Sequence, residues 1–234
     1  MSKISITIDD KPLLADVGKT ILEVCREYDI EILTMCHLKG IVDVGACRLC
    51  LVEIEGTHKL LSACTTKVTA NMVVRTNTER IKKYQRITTE LFFAERNHVC
   101  SVCVANGKCE LQNLGYKVGM DCIRYPHLFP QCEVDTSHAW YVMDHNRCIM
   151  CTRCVRVCST VEGAQNWDVM DRGFQVRIIS DFNTPWGSSE TCTSCGKCLH
   201  ACPTGAIWPK AIVQGQLEKK PGLIAEVMEK RKMG

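Results

Sequence analysis

From residue 4 the chain alternates: Ile4, Ile6 and Ile8 are apolar with Ser5 and Thr7 between them, the period of a half-buried strand. Asp9, Asp10 and Lys11 supply a turn into a second short strand at 13–15. Thr20 and Glu23 stand at the spacing of a capping box, and Ile21, Val24, Cys25 and Tyr28 form the apolar stripe of a helix ending near Asp29. Further strands are predicted at 51–54, 60–63 and 72–75. From Thr78 the period becomes helical, with Ile81, Tyr84, Ile87, Leu91 and Phe92 carrying one long helix to His98. Residues 121–135 hold Pro126 and Pro130 and no period, which predicts a connecting loop. Strands are expected again at 139–143 and 174–179. Leu223, Ile224, Val227 and Met228 mark one face of a terminal helix that ends in Lys230, Arg231 and Lys232. Strands and helices in this mixed order predict an α+β chain.

Composition changes this picture through one residue type. Eighteen of the 234 residues are cysteine. In a secreted chain that density would imply a disulfide framework, but residues 1–11 carry charges and no apolar h-region, and no apolar run approaches the roughly 18 residues of a membrane span. The expectation is a cytoplasmic chain without membrane insertion, in which clustered thiols mean metal or redox chemistry.

The strongest pattern is a run of cysteines at i, i+3, i+6 and i+10 that occurs twice, as Cys148, Cys151, Cys154, Cys158 and as Cys192, Cys195, Cys198, Cys202, the latter followed by Pro203. Three thiolates of such a run can take three corners of a cubane while the fourth serves the other cluster. That assigns Cys148, Cys151, Cys154 and Cys202 to one [4Fe-4S] centre and Cys158, Cys192, Cys195 and Cys198 to another. Zinc would use pairs and leave the third cysteine of each run unexplained, yet a zinc-stabilised interaction module is the alternative from a different class. Cys158 is followed by Ser159 instead of proline, and the stretch to Cys192 is long.

A second set, Cys36, Cys47, Cys50 and Cys64, surrounds a loop containing Gly40 and Gly45 and adjoins the predicted strands, which suits a [2Fe-2S] centre on a ferredoxin-like, β-grasp domain. A third, Cys100, Cys103 and Cys109, needs one more ligand to complete a cubane. His98 is the nearest donor, and Cys122 and Cys132 are its rivals. A helix cap is the plain alternative for His98. Cys25, on an apolar stripe, is expected to be a core residue. One [2Fe-2S] and three [4Fe-4S] clusters would turn the formal charge of +3 into about −4, which removes the electrostatic motive for nucleic-acid binding. No G-x-G-x-x-G follows a strand and no P-loop is present, so nicotinamide, flavin and catalytic sites are not expected on this chain. The implied organisation is a [2Fe-2S] domain over 1–78, a helix with the one-histidine, three-cysteine segment over 79–118, a connecting loop over 119–137, a two-cubane ferredoxin module over 138–207 and a tail over 208–234.

Taken in this order, the [2Fe-2S] domain, the segment ending Cys109-Glu110-Leu111-Gln112 and the two-cubane module resemble the N-terminal part of the large iron-sulfur subunit of respiratory complex I and of iron-only hydrogenases. The stretches from Asn97 to Leu114 and from Asp144 to Cys158 are similar to the small diaphorase subunit of bidirectional NAD-reducing nickel-iron hydrogenases. Only Val99 separates His98 from Cys100, where the wider superfamily has three residues, a spacing shared with the diaphorase group. The resemblance implies an electron-transfer subunit between an FMN- and NAD-binding diaphorase subunit and the small and large subunits of a nickel-iron hydrogenase. An electron-input subunit of a complex I-like or formate dehydrogenase complex is the second expectation.

Overall fold

The computed structural model describes residues 2–220 and 222–233; residues 1, 221 and 234 lie outside the described residues. The chain forms two compact units, Met1–His37 with Asp43–Thr89, and Leu38–Val42 with Glu90–Gly234. Together they make an α+β protein.

In the first unit β1 (Lys3–Ile8) and β2 (Lys11–Asp16) form a hairpin whose turn places Asp9 and Asp10 at positive φ, a conformation aspartate tolerates. α1 (Ile21–Glu27) starts at the expected capping box: Thr20 Oγ1 accepts from the Glu23 N–H at 3.2 Å, and the Glu23 carboxylate accepts from the Thr20 N–H at 2.7 Å. β3 (Leu51–Ile54), β4 (Leu61–Ser62) and β5 (Val73–Arg75) complete a sheet in the order β2-β1-β5-β3-β4, with β1 parallel to β5. Ile6, Ile8, Val52 and Val74 of the sheet bury against Ile21, Leu22, Val24 and Cys25 of α1. Each large aliphatic side chain removed from water there contributes about 1.5–3 kcal/mol. Cys25 is wholly buried, and burial pushes its thiol up to about 12, as befits an inert core residue.

α2 (Glu79–Ala94) ends four residues before His98, so the long helix is shorter than its apolar period suggested and His98 is not its cap. The residues after it turn away and bury Arg96, whose guanidinium donates to the carbonyls of Phe174 and Val176.

The second unit contains α3 (Glu110–Lys117), β6 (Val134–Asp135), β7 (Tyr141–Asp144), α4 (Arg153–Arg156), β8 (Trp167–Met170), β9 (Arg177–Ser180), α5 (Lys197–Ala201), β10 (Ile207–Pro209) and α6 (Leu223–Met233). β7 lies between β10 and β6, and β8 pairs with β9 in a hairpin. β6 falls inside the expected loop, and β8 and β10 had no clear period. The strand expected from residue 174 begins at Arg177, after a 3-10 turn at Gly173–Gln175. A π-helical turn, Val157–Glu162, continues α4. Ile224 of α6 is buried against Val157, Val161 and Ala201, which makes the tail part of this module.

Candidate metal centres

In the first unit Cys36, Cys47, Cys50 and Cys64 are all at most 5% exposed. Gly45 and Arg48 take positive φ and fold the loop back between α1 and β3. The side chain of Cys36 lies within hydrogen-bonding reach of Cys47 and Cys64, and Cys64 of Cys50, so the four sulfurs form one group. Backbone N–H groups of Met35, at 3.4 Å, and Leu49 reach Cys47, and those of Cys47 and Ala46 reach Cys36. Hydrogen bonds from Cys47 first and Cys64 next pull the Cys36 thiol far below its ordinary range, which loads negative charge onto this buried group.

The second unit holds three small cavities, each walled by one predicted ligand set. One is lined by His98, Cys100, Cys103 and Cys109, together with Thr204 and Gly205. The His98 ring donates to the Phe92 backbone carbonyl, and its buried Nε2 has no hydrogen-bond partner. Burial, reinforced by Arg147 and Arg96, pushes the imidazole down to about 4, so it is neutral with a lone pair on Nε2. A carbonyl that fixes the tautomer from behind is the support a metal-ligating histidine needs. Gly205 is required by closeness: a Cβ there would sit 2.6 Å from Cys103 Sγ. Neither Cys122, which is exposed, nor Cys132 lines this cavity.

A second cavity is bounded by Cys148, Cys151, Cys154 and Cys202 among apolar walls that include Met143, Ile178 and Ile207. Burial pushes Cys148 up to about 12 and Cys151 up to about 11, so these sulfurs need cations to exist as thiolates. A third is bounded by Cys158, Cys192, Cys195 and Cys198 with Tyr141, Trp167 and Trp186. The repeated spacing is a repeated backbone: Met150 and Thr152 in the first run, and Ser194 and Gly196 at the equivalent places in the second, all take positive φ. These turns bring the first two thiols of each run beside the third, Cys154 in α4 or Cys198 in α5, and the i+10 cysteine of each run crosses to the other cavity.

Among the described residues no three His, Cys, Asp or Glu side chains converge on a point that could hold a single metal ion. Four ligands set around each cavity, without three of them meeting at one point, suit a polynuclear cluster, which spaces its ligands, and not a tetrahedral zinc ion. The spacing of the cysteines found these sets, but the aromatic residues around the third cavity carry no motif and were not anticipated.

Three known families match parts of the chain. Residues 1–79 match the 2Fe-2S iron-sulfur cluster binding domain, 85–124 the NADH-ubiquinone oxidoreductase-G iron-sulfur binding region, and 141–208 the ferredoxin-like domain of NADH-quinone oxidoreductase subunit 3. The chain is 36% identical to the NADP-reducing hydrogenase subunit HndD of Solidesulfovibrio fructosivorans, over 88% of this chain and 36% of that protein. It is 32% identical to the NAD-reducing hydrogenase HoxS subunit gamma of Cupriavidus necator, over 89% of this chain and 88% of that protein. A chain of the crystal structure of an NAD+-reducing [NiFe]-hydrogenase in the H2-reduced state superposes with a TM-score of 0.84 at 30% identity, covering 89% of this chain and 88% of that one. The chain spans about a third of the length of HndD and about a quarter of other curated relatives it matches.

Proposed function

The chain belongs to the iron-sulfur electron-transfer subunits of the HoxS gamma type, and from that premise we propose that it carries electrons between an FMN- and NAD-binding diaphorase subunit and a nickel-iron hydrogenase in the cytoplasm. In that role it links reversible hydrogen oxidation to NAD reduction and converts no substrate itself.

The observation that carries this assignment is that each of three cavities is walled by one four-residue ligand set, one of them including a buried His98 whose Nε2 lacks a partner. Cys36, Cys47, Cys50 and Cys64 would hold the [2Fe-2S] cluster. Three [4Fe-4S] clusters would be held by His98, Cys100, Cys103 and Cys109; by Cys148, Cys151, Cys154 and Cys202; and by Cys158, Cys192, Cys195 and Cys198. Bound there, the clusters supply one-electron storage. The protein's own part is to fix the ligands, exclude water with apolar walls and place N–H dipoles at sulfur. Lys219 serves the first of these tasks by donating to the carbonyls of Cys202 and Thr204.

In the assembled complex, Cys195→Ser is expected to remove one cubane signal and to abolish hydrogen-dependent NAD reduction. Dye reduction by hydrogen and by NADH should survive, because neither active site is on this chain. Loss of both dye activities with the complex still assembled would contradict the role. Co-purification with a molybdenum-containing or quinone-reactive partner would instead favour the formate dehydrogenase or complex I-like assembly.

A further inference from the structure

The stretch between Cys158 and Cys192 contributes two tryptophans to the third cavity. Trp167 opens β8, and Trp186 opens a 3-10 turn, Trp186–Ser188. Both are buried, their ring centroids 4.7 Å apart. An indole has a single donor and no acceptor, so the partner of its N–H is informative. Trp186 Nε1 donates to Cys192 Sγ at 3.2 Å, and the Trp167 side chain lies within hydrogen-bonding reach of Cys198 beside it in the cavity wall. Phenylalanine would be as apolar but would lack the N–H.

The surroundings hold Trp186 in this pose. His138 packs on it at 4.4 Å between centroids, with Tyr141 at 5.7 Å. His138 Nδ1 accepts from the N–H groups of Trp140 and Tyr141 at 3.1 and 3.2 Å, which leaves the proton on Nε2, 3.1 Å from Ser194 Oγ in the ligand loop. Backbone N–H groups of Asn166, at 3.3 Å, and Trp167 reach Cys158. By contrast, the cavity of Cys148, Cys151, Cys154 and Cys202 is lined by no tryptophan.

We propose that Trp186 and Trp167 raise the reduction potential of the centre held by Cys158, Cys192, Cys195 and Cys198 by donating indole hydrogen bonds to two of its thiolates. The inference rests on the ligand assignment above. One electron enters from a low-potential donor, the core and its four thiolates pass from a dianion to a trianion, and no bond to protein forms or breaks. The positive end of an N–H dipole favours the more negative state, so each bond favours reduction. Trp186 and Trp167 are tuning residues and bind no iron.

The test uses the holo-complex with Trp186→Phe and, because phenylalanine is smaller, a second variant with Trp186 replaced by 3-benzothienylalanine, which keeps the shape and lacks the N–H. Potentiometric titration against dithionite, followed by electron paramagnetic resonance, gives the midpoint, and iron analysis gives occupancy. In both variants the midpoint of this centre should shift negative, leaving less than half of it reduced at the wild-type midpoint potential, while the other centres stay unmoved. Adding Trp167→Phe should shift it further. A midpoint that is unchanged or more positive in the benzothienylalanine variant, with iron retained, overturns the inference. If Cys195→Ser leaves the followed signal in place, the ligand assignment has failed, and the inference with it.

Discussion

The unpartnered Nε2 of His98 decides the character of its centre, because imidazole is neutral where a thiolate is negative. His98→Cys adds a negative charge beside the core and stabilises the oxidised state, so the potential of that centre is expected to fall. His98→Ala leaves one iron without a protein ligand, and the centre should become labile. Redox titration with electron paramagnetic resonance checks both, and unaltered signals in both variants would remove His98 from the ligand set. The sequence pointed to His98 by nearness to three cysteines and by the spacing it shares with the diaphorase group. Its burial, the Phe92 carbonyl behind the ring and the bare Nε2 depend on where the chain goes after Ala94, which periodicity does not encode. The two tryptophans were less legible still: in sequence they stand 19 positions apart with no motif, and only the fold brings both to one cavity.

Among the elements, those built on a clean period were legible. β3 occupies the residues that its pattern indicated, and the Thr20 capping box starts α1. β10 was hidden because Ile207–Pro209 contains a proline, which sits poorly in a central strand but is tolerated here at the end of an edge strand. α2 stops at Ala94, short of the expected His98, and beyond it Arg96 is drawn into buried hydrogen bonds with the Phe174 and Val176 carbonyls. The two cysteine runs were visible by spacing, whereas their matching positive-φ residues were not, since Met150 and Thr152 do not announce a left-handed turn. That geometry carries a paired prediction. Gly196→Ala should destabilise the holo-protein by about 1–2 kcal/mol through left-handed strain, with a Cβ also 2.7 Å from Tyr141 Oη. Thr152→Gly, at the equivalent place, should relieve strain locally and cost no stability. Thermal unfolding of the two variants checks the pair, and equal effects would contradict the equivalence of the two loops.

Across the whole molecule the three cubane sets proposed from spacing each line one cavity of the second unit, and Cys36, Cys47, Cys50 and Cys64 gather in the first. The helix expected in the tail is present as α6, but its packing through Ile224 and the hold that Lys219 has on a ligand loop carried no sequence signal. No helix among the described residues is long and apolar enough to cross a membrane. The central claim is that this chain is a carrier of four iron-sulfur clusters, and the most direct measurement is iron and acid-labile sulfide in the purified, anaerobic holo-protein. One [2Fe-2S] and three [4Fe-4S] clusters predict about 14 iron and about 14 sulfide per chain. A value near 10 of each would remove one cubane, first the centre beside His98, and zinc without sulfide would contradict the account entirely.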